Sequence, residues 1–302
     1  MFLLIVMYAL LASTFSIAWS VMQYAQPFFT IGVRMVLAGI MLLGYQFVFR
    51  RSRFSIAWRD RWLFVQATFF HIFFAFVTEF HALKTVSGAK TALMYNLSPF
   101  IAAIFSYVMF REQLSRRQWM GLVIGFLGFI PLLYSQAPTE TSLVNAFFIS
   151  RAEGELLISV VSAVYGWLVV KKLVTRLGYA PVMVNGVAML GAGVLSLLCS
   201  LVIESWSPIP VRLAYIPKFF FEISTLILIA NIVYYNLFAW LLRFYTPTFL
   251  TFVGFVTPLF AALYDWIFFG KTVSLAFGAT ALSVFCGLYI FYKDSLTHAR
   301  LR

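Results

Sequence analysis

Charge is what this chain has least of. Of its 302 residues only 11% are Asp, Glu, Lys or Arg, where water-soluble domains carry about 25%. With 63% apolar residues and 35 Phe, it cannot dress a surface for water, which excludes a soluble protein. Histidine is almost as scarce, with three in all, and His298 lies close to the C-terminus. No HExxH, DxD, GxSxG or Walker-type pattern occurs, so no nucleophile, base and orienting group can be assembled. Without His/Cys/carboxylate clusters no metal is expected, and no cofactor. The two cysteines, Cys199 and Cys286, sit in apolar runs without a CxxC pattern; they read as small core residues. Acids number 10 against 22 Lys and Arg, giving +12. In a membrane chain such an excess marks cytoplasmic loops rather than nucleic-acid binding. The opening MFLLIVMYALLASTFS lacks any Lys or Arg and reads as an uncleaved first span, not a signal peptide.

What is present is apolar length. A span takes about 20 apolar residues, and ten candidates fall at 2–22, 28–49, 62–82, 91–110, 117–135, 154–171, 181–203, 222–242, 249–269 and 274–292. With the N-terminus inside, the inner connections hold 15 Lys and Arg and the outer ones six, with Arg34 inside the second span. That bias places both termini in the cytoplasm of a multi-pass inner-membrane protein.

The chain repeats itself. The segment 96–133 and the segment 255–292 align without a gap at an offset of 159 residues and share seven identities in 38 positions. Pro99 falls on Pro258, Ala102 and Ala103 on Ala261 and Ala262, and Gly128 on Gly287. An odd number of spans per copy turns the second copy upside down. Arg111, Arg116 and Arg117 accordingly become Gly270, Leu275 and Ala276, as inverted copies require. The expected fold is an all-α integral membrane protein of ten transmembrane helices, built as two inverted five-helix repeats around a central cavity. The repeats are 1–135 and 154–292, with a connecting loop at 136–153 and a tail at 293–302.

Polar side chains within hydrocarbon are costly and are weighed singly. The expected substrate site comprises His71, Asn96, Tyr165, Asn231 and Tyr235, contacted from both repeats. At the 159-residue offset His71 opposes Ala230, beside Asn231, so corresponding spans put a hydrogen-bonding group at one depth. The same residues could instead glue helices together, and Ser or Thr such as Ser162 and Thr251 can bond their own helix carbonyls. Trp19 and Trp167 lie near span ends, where an interfacial belt explains them at least as well as a binding site. Pro99 and Pro258 are expected to bend their helices beside the central path. Asp265, Glu79 and Arg34 are expected at similar depth on the outer side. They read as a structural cluster, as a proton-coupling acid, or as a carboxylate meeting a cationic solute.

Three runs carry a family resemblance: PFFTIGVRMVLAGIML with Pro27 and Arg34, ALKTVSGAKTALMYNLSPF, and FREQLSRRQWMGLVIGFLGF. The chain resembles the drug/metabolite transporter superfamily, and its EamA-type permeases in particular. Members place Glu at the elbow of both copies; Glu112 keeps that pattern and Lys271 departs from it. The resemblance implies ten helices, inverted repeats, a central cavity and solute transport by alternating access, without naming the solute. The expected activity is a secondary transporter, exporter or exchanger, of a small polar or amphipathic metabolite. Amino-acid-like and nucleoside-like solutes come first, adenosyl-methionine-type compounds included. An integral-membrane enzyme or a structural membrane subunit is the alternative. Expected partners are the solute, the lipid bilayer and a coupling proton, with no nucleic acid.

Overall fold

The computed structural model describes residues 2–51, 54–82, 94–131, 151–269 and 275–299. Helices α1 (Phe2–Met22) and α2 (Pro27–Phe49) come first. Helix α3 (58–82) is continuous from a 3-10 turn through the π-helical segment Ala67–Phe74 to Ala75–Ala82. Then follow α4 (Ser98–Phe110), α5 (Arg116–Leu127), α6 (Arg151–Lys171, prolonged by a π turn to Arg176) and α7 (Pro181–Ile203). Helix α8 (Leu213–Leu241) contains a second π segment, Ile227–Tyr234. Helix α9 runs as Pro247–Val253, a 3-10 turn Gly254–Val256, and Thr257–Phe269; α10 is Leu275–Ala299. Among the described residues seven helices, α1, α2, α3, α6, α7, α8 and α9, are long and apolar enough to cross a membrane. Exposed Ile40, Met41, Val48, Leu201 and Val202 give α2 and α7 outer faces that only hydrocarbon would cover. The molecule is a multi-pass helical membrane protein.

Local sequence sets the helix starts. Proline occupies the first turn of α2, α7 and α9, where its missing N–H costs nothing. Ser115 and Gln118 form a reciprocal capping box at the start of α5. Two edges differ from the sequence expectation. Helix α8 begins nine residues before 222, with a 3-10 turn Leu213–Tyr215 that leads into the α-helical turn holding Pro217. Helix α10 runs past 292 through the expected tail: Asp294, 5% exposed, accepts the Ser115 hydroxyl at 2.5 Å and anchors the extra turns.

Two compact units result, and neither is a half of the sequence. One comprises Met1–Ala12, His81–Val161 and Tyr245–Arg302; the other comprises Ser13–Phe80 and Ser162–Phe244. In the first, Gly121 of α5 and Gly287 of α10 bring backbones together, since a Cβ on either would stand 2.5–2.6 Å from the other's carbonyl oxygen. Phe129 packs edge-on against Phe255 there, and Tyr8 donates to the Leu250 carbonyl at 2.6 Å. Pro99 and Pro258 each take the second position of a helical stretch, directly after a turn at 96–97 or a 3-10 turn.

The second unit is organised by α2 against α7. A Cβ added to Gly32 would meet Leu197, and one on Gly39 would meet Leu190, both at 2.6 Å. From the other side, Gly186 meets Leu43 at 2.9 Å and Gly193 meets Val36 at 2.5 Å. As numbers climb along α2 from 32 to 43, partners fall along α7 from 197 to 186, so the two run antiparallel. Small residues at such crossings let helices close where no water drives them together.

Candidate functional site

The π segments place the polar groups of this unit. In ATFFHIFF and ILIANIVY, His71 and Asn231 each hold the fifth position. Structure therefore pairs His71 with Asn231 at an offset of 160, one residue on from the Ala230 that the sequence alignment indicated. Both are buried, at 2% and 0% exposure. A π turn widens the helix and loosens its ladder, a feature that recurs at functional sites. The Ser162 hydroxyl, from α6, donates to the Phe70 carbonyl at 2.9 Å inside the first segment.

Gly166 admits His71. A Cβ there would stand 2.3 Å from the His71 Cα, so only glycine lets α6 approach so closely. The imidazole then lies 4.1 Å from the Trp167 ring and 5.3 Å from that of Tyr235, and Trp167 continues onto Phe238 at 4.0 Å. Among the described residues neither His71 ring nitrogen has a hydrogen-bond partner. A buried polar atom left unpaired costs about 1–3 kcal/mol. His71 therefore touches its neighbouring helices through its ring and not through its nitrogens.

Arg34 forms the other pole. Its helix begins where the Glu204 carboxylate accepts the Phe28 and Phe29 N–H groups at 2.7 and 2.9 Å, an acid on a helix N-terminus. Two turns further, Arg34 is 9% exposed and donates from Nε to Asn231 Oδ1 at 2.7 Å. Asn231 turns its amide nitrogen to the sulfurs of Met35 and Met189, at 3.2 and 3.6 Å. The guanidinium stands 5.9 Å from the Phe76 ring centre, and Glu79 and Tyr235 lie within its electrostatic reach.

His71, Asn231, Tyr235, Arg34 and Glu79 thus lie in one unit, linked by ring and polar contacts. Tyr165 belongs to the same unit but turns aside, donating to Gln66 Oε1 at 2.7 Å with its ring edge-on to Phe70. Asn96 lies in the other unit, 4% exposed, with its amide nitrogen unpaired. The Asp265 backbone belongs to α9, while its side chain, that of Trp19, and Lys271 lie outside the described residues. Thr251 bonds the Pro247 carbonyl of its own helix. Cys286 is exposed rather than in the core, because it faces outward from α10. Trp167, 8% exposed, packs inside its unit on His71, Tyr235 and Phe238. The expected span ended at 171, whereas the π turn carries α6 on to Arg176 and leaves Trp167 well inside. Phe238 and Gly166 were missed too. One signal was available, a His or Asn at the same place in two mostly apolar octets.

Comparison with known proteins shows the family. The model of the EamA-like transporter family matches residues 1–134 and 154–293. A curated relative from Chlamydia muridarum, an S-adenosylmethionine/S-adenosylhomocysteine transporter, is 33% identical over 262 residues, covering 86% of this chain and 81% of its own. A protein of the same description from Chlamydia trachomatis serovar L2 is 33% identical over 263 residues, covering 86% and 79%. A solved crystal structure superposes with a TM-score of 0.78 at 18% identity, over 99% of this chain and 98% of the other, and attests the fold. The chain belongs to the EamA-like transporter family.

Proposed function

We propose that this transporter exchanges S-adenosylmethionine for S-adenosylhomocysteine, binding both against the His71–Trp167–Tyr235 cluster. The observation that carries this reading is His71, buried at 2% exposure among aromatic rings with both nitrogens unspent. An adenine offers what such a group lacks: a face to stack on Trp167 and Tyr235, and an edge of donors and acceptors for imidazole. A sulfonium gains in addition from aromatic faces, which attract cations by about 0.5–2 kcal/mol. The description of the chlamydial relatives, at 33% identity, supports the same pair of solutes.

The ten-helix inverted repeat is part of the proposal. It is supported by two family-model matches in one chain, by the antiparallel α2–α7 contact and by the paired π segments. Both termini are cytoplasmic on this reading, following the 15-to-six distribution of Lys and Arg. Exchange needs no coupling ion. S-adenosylmethionine carries one positive charge more than S-adenosylhomocysteine, so each inward exchange moves one charge. An inside-negative potential drives that step by about 2.3 kcal/mol per 100 mV.

Proteoliposomes loaded with S-adenosylhomocysteine test the proposal. External labelled S-adenosylmethionine should enter only loaded vesicles, faster at negative potential, and His71→Ala should slow uptake at least tenfold without changing the melting temperature by more than a few degrees. Equal uptake into empty vesicles would overturn exchange, and wild-type rates in His71→Ala would overturn the site.

A further inference from the structure

We infer that Arg34 is the receptor for the α-carboxylate of the solute, so that the site clamps an amino-acid headgroup as well as an adenosyl group. This rests on the adenosyl reading and deepens it. The starting point is a buried guanidinium whose direct partner is neutral. Among the described residues no acidic side chain forms an ion pair with Arg34. Its hydrogen bond goes to the Asn231 amide oxygen, which orients the group, while Glu79 acts on its charge from beyond ion-pair distance. A structural arginine buried in a membrane protein would be expected to face a carboxylate.

The geometry of the bond matters. Asn231 takes Nε, which leaves the two terminal nitrogens, the edge of the fork that meets a carboxylate in two parallel hydrogen bonds. Asn231 is held in turn by Met35 and Met189, soft partners that fix its amide without competing for Arg34. Glu79 is three residues beyond Phe76 on α3, on the face that Phe76 turns to the guanidinium. Tyr235 faces both the guanidinium and His71, so headgroup and adenine ends would be bound side by side. Methionine and homocysteine derivatives share the headgroup and differ at sulfur, which accounts for one site serving both members of the exchange.

Calorimetric titration of the purified protein with S-adenosylmethionine, S-adenosylhomocysteine and decarboxylated S-adenosylmethionine tests the inference. In the native protein, loss of the carboxylate should weaken binding about 100-fold, as for removal of one member of a buried charge pair. Arg34→Gln should weaken S-adenosylmethionine by a similar factor and leave the decarboxylated compound within about threefold, so the preference collapses. Should Arg34→Gln fail to fold, Asn231→Asp supplies an internal carboxylate and should cost S-adenosylmethionine at least tenfold while sparing the decarboxylated compound. Equal affinity of the native protein for the two compounds would overturn the clamp. Arg34-dependent binding of free methionine without either adenosyl compound would keep the clamp and overturn the adenosyl reading. No binding of any headgroup-bearing compound would overturn both.

Discussion

Advance Gly32, Val36, Gly39 and Leu43 of α2 by 154 residues, and they become Gly186, Leu190, Gly193 and Leu197 of α7, which make the same four contacts from the opposite side. Advance Arg34 by the same step and it becomes Ala188; advance Glu79 by the 160 of the π segments and it becomes Ala239. Backbone proximity is thus kept in both halves, while charge is present in one. The difference has a physical source. Helix packing is a two-sided requirement, because a glycine lost on either side opens the same crossing. A binding group is needed once, and a second buried Arg or Glu would add desolvation cost without a ligand atom to meet it. Asymmetry within a symmetric frame is what the proposed solute site would produce, and it singles out Arg34 and Glu79.

The comparison can be broken most violently at the crossing. Gly39→Leu or Gly193→Leu pushes a side chain into backbone 2.5–2.6 Å away, and each should abolish monodisperse protein on gel filtration. Tolerance of one and loss of the other would show that the contacts are not equivalent. Moving the charge gives a smaller effect. The double variant Arg34→Ala, Ala188→Arg should fold, yet exchange at under a tenth of the native rate, since no second Asn231 awaits the transplanted guanidinium. Restored exchange would mean that only the presence of a charge matters. The smallest change sharpens the frame: Gly44 has open space around its absent Cβ, so Gly44→Ala should raise stability by roughly 0.5–1 kcal/mol with unchanged exchange.

Much of this was legible in the residues. Apolar length placed the helices, and Pro99 with Gly128 revealed the second copy because those residue types are costly to move within a helix. His71, Asn231, Tyr235, Arg34 and Glu79 stood out as polar groups in apolar surroundings. Their partners did not. A single offset of 159 hid the α2–α7 correspondence, because the second copy is longer by six residues between that crossing and its π segment. The Arg34–Asn231 bond joins residues 197 apart on different helices, and no periodicity records that. The end of α6 was not legible either, since a π turn carries the helix past the last apolar turn to Arg176.

The paired π segments have a mechanical consequence. A π-helical turn carries a surplus residue in an otherwise regular helix, and one residue corresponds to about 100° of α-helical rotation. Passing that surplus along α3 would swing His71 away from Trp167 while leaving the helix unbroken, and the matching segment gives α8 the same freedom at Asn231. The two helices hold a stored quarter-turn at the depth of the proposed site. Tryptophan fluorescence of Trp167 measured as solute is added would register its release, and an emission unchanged by saturating solute would show the segments to be fixed.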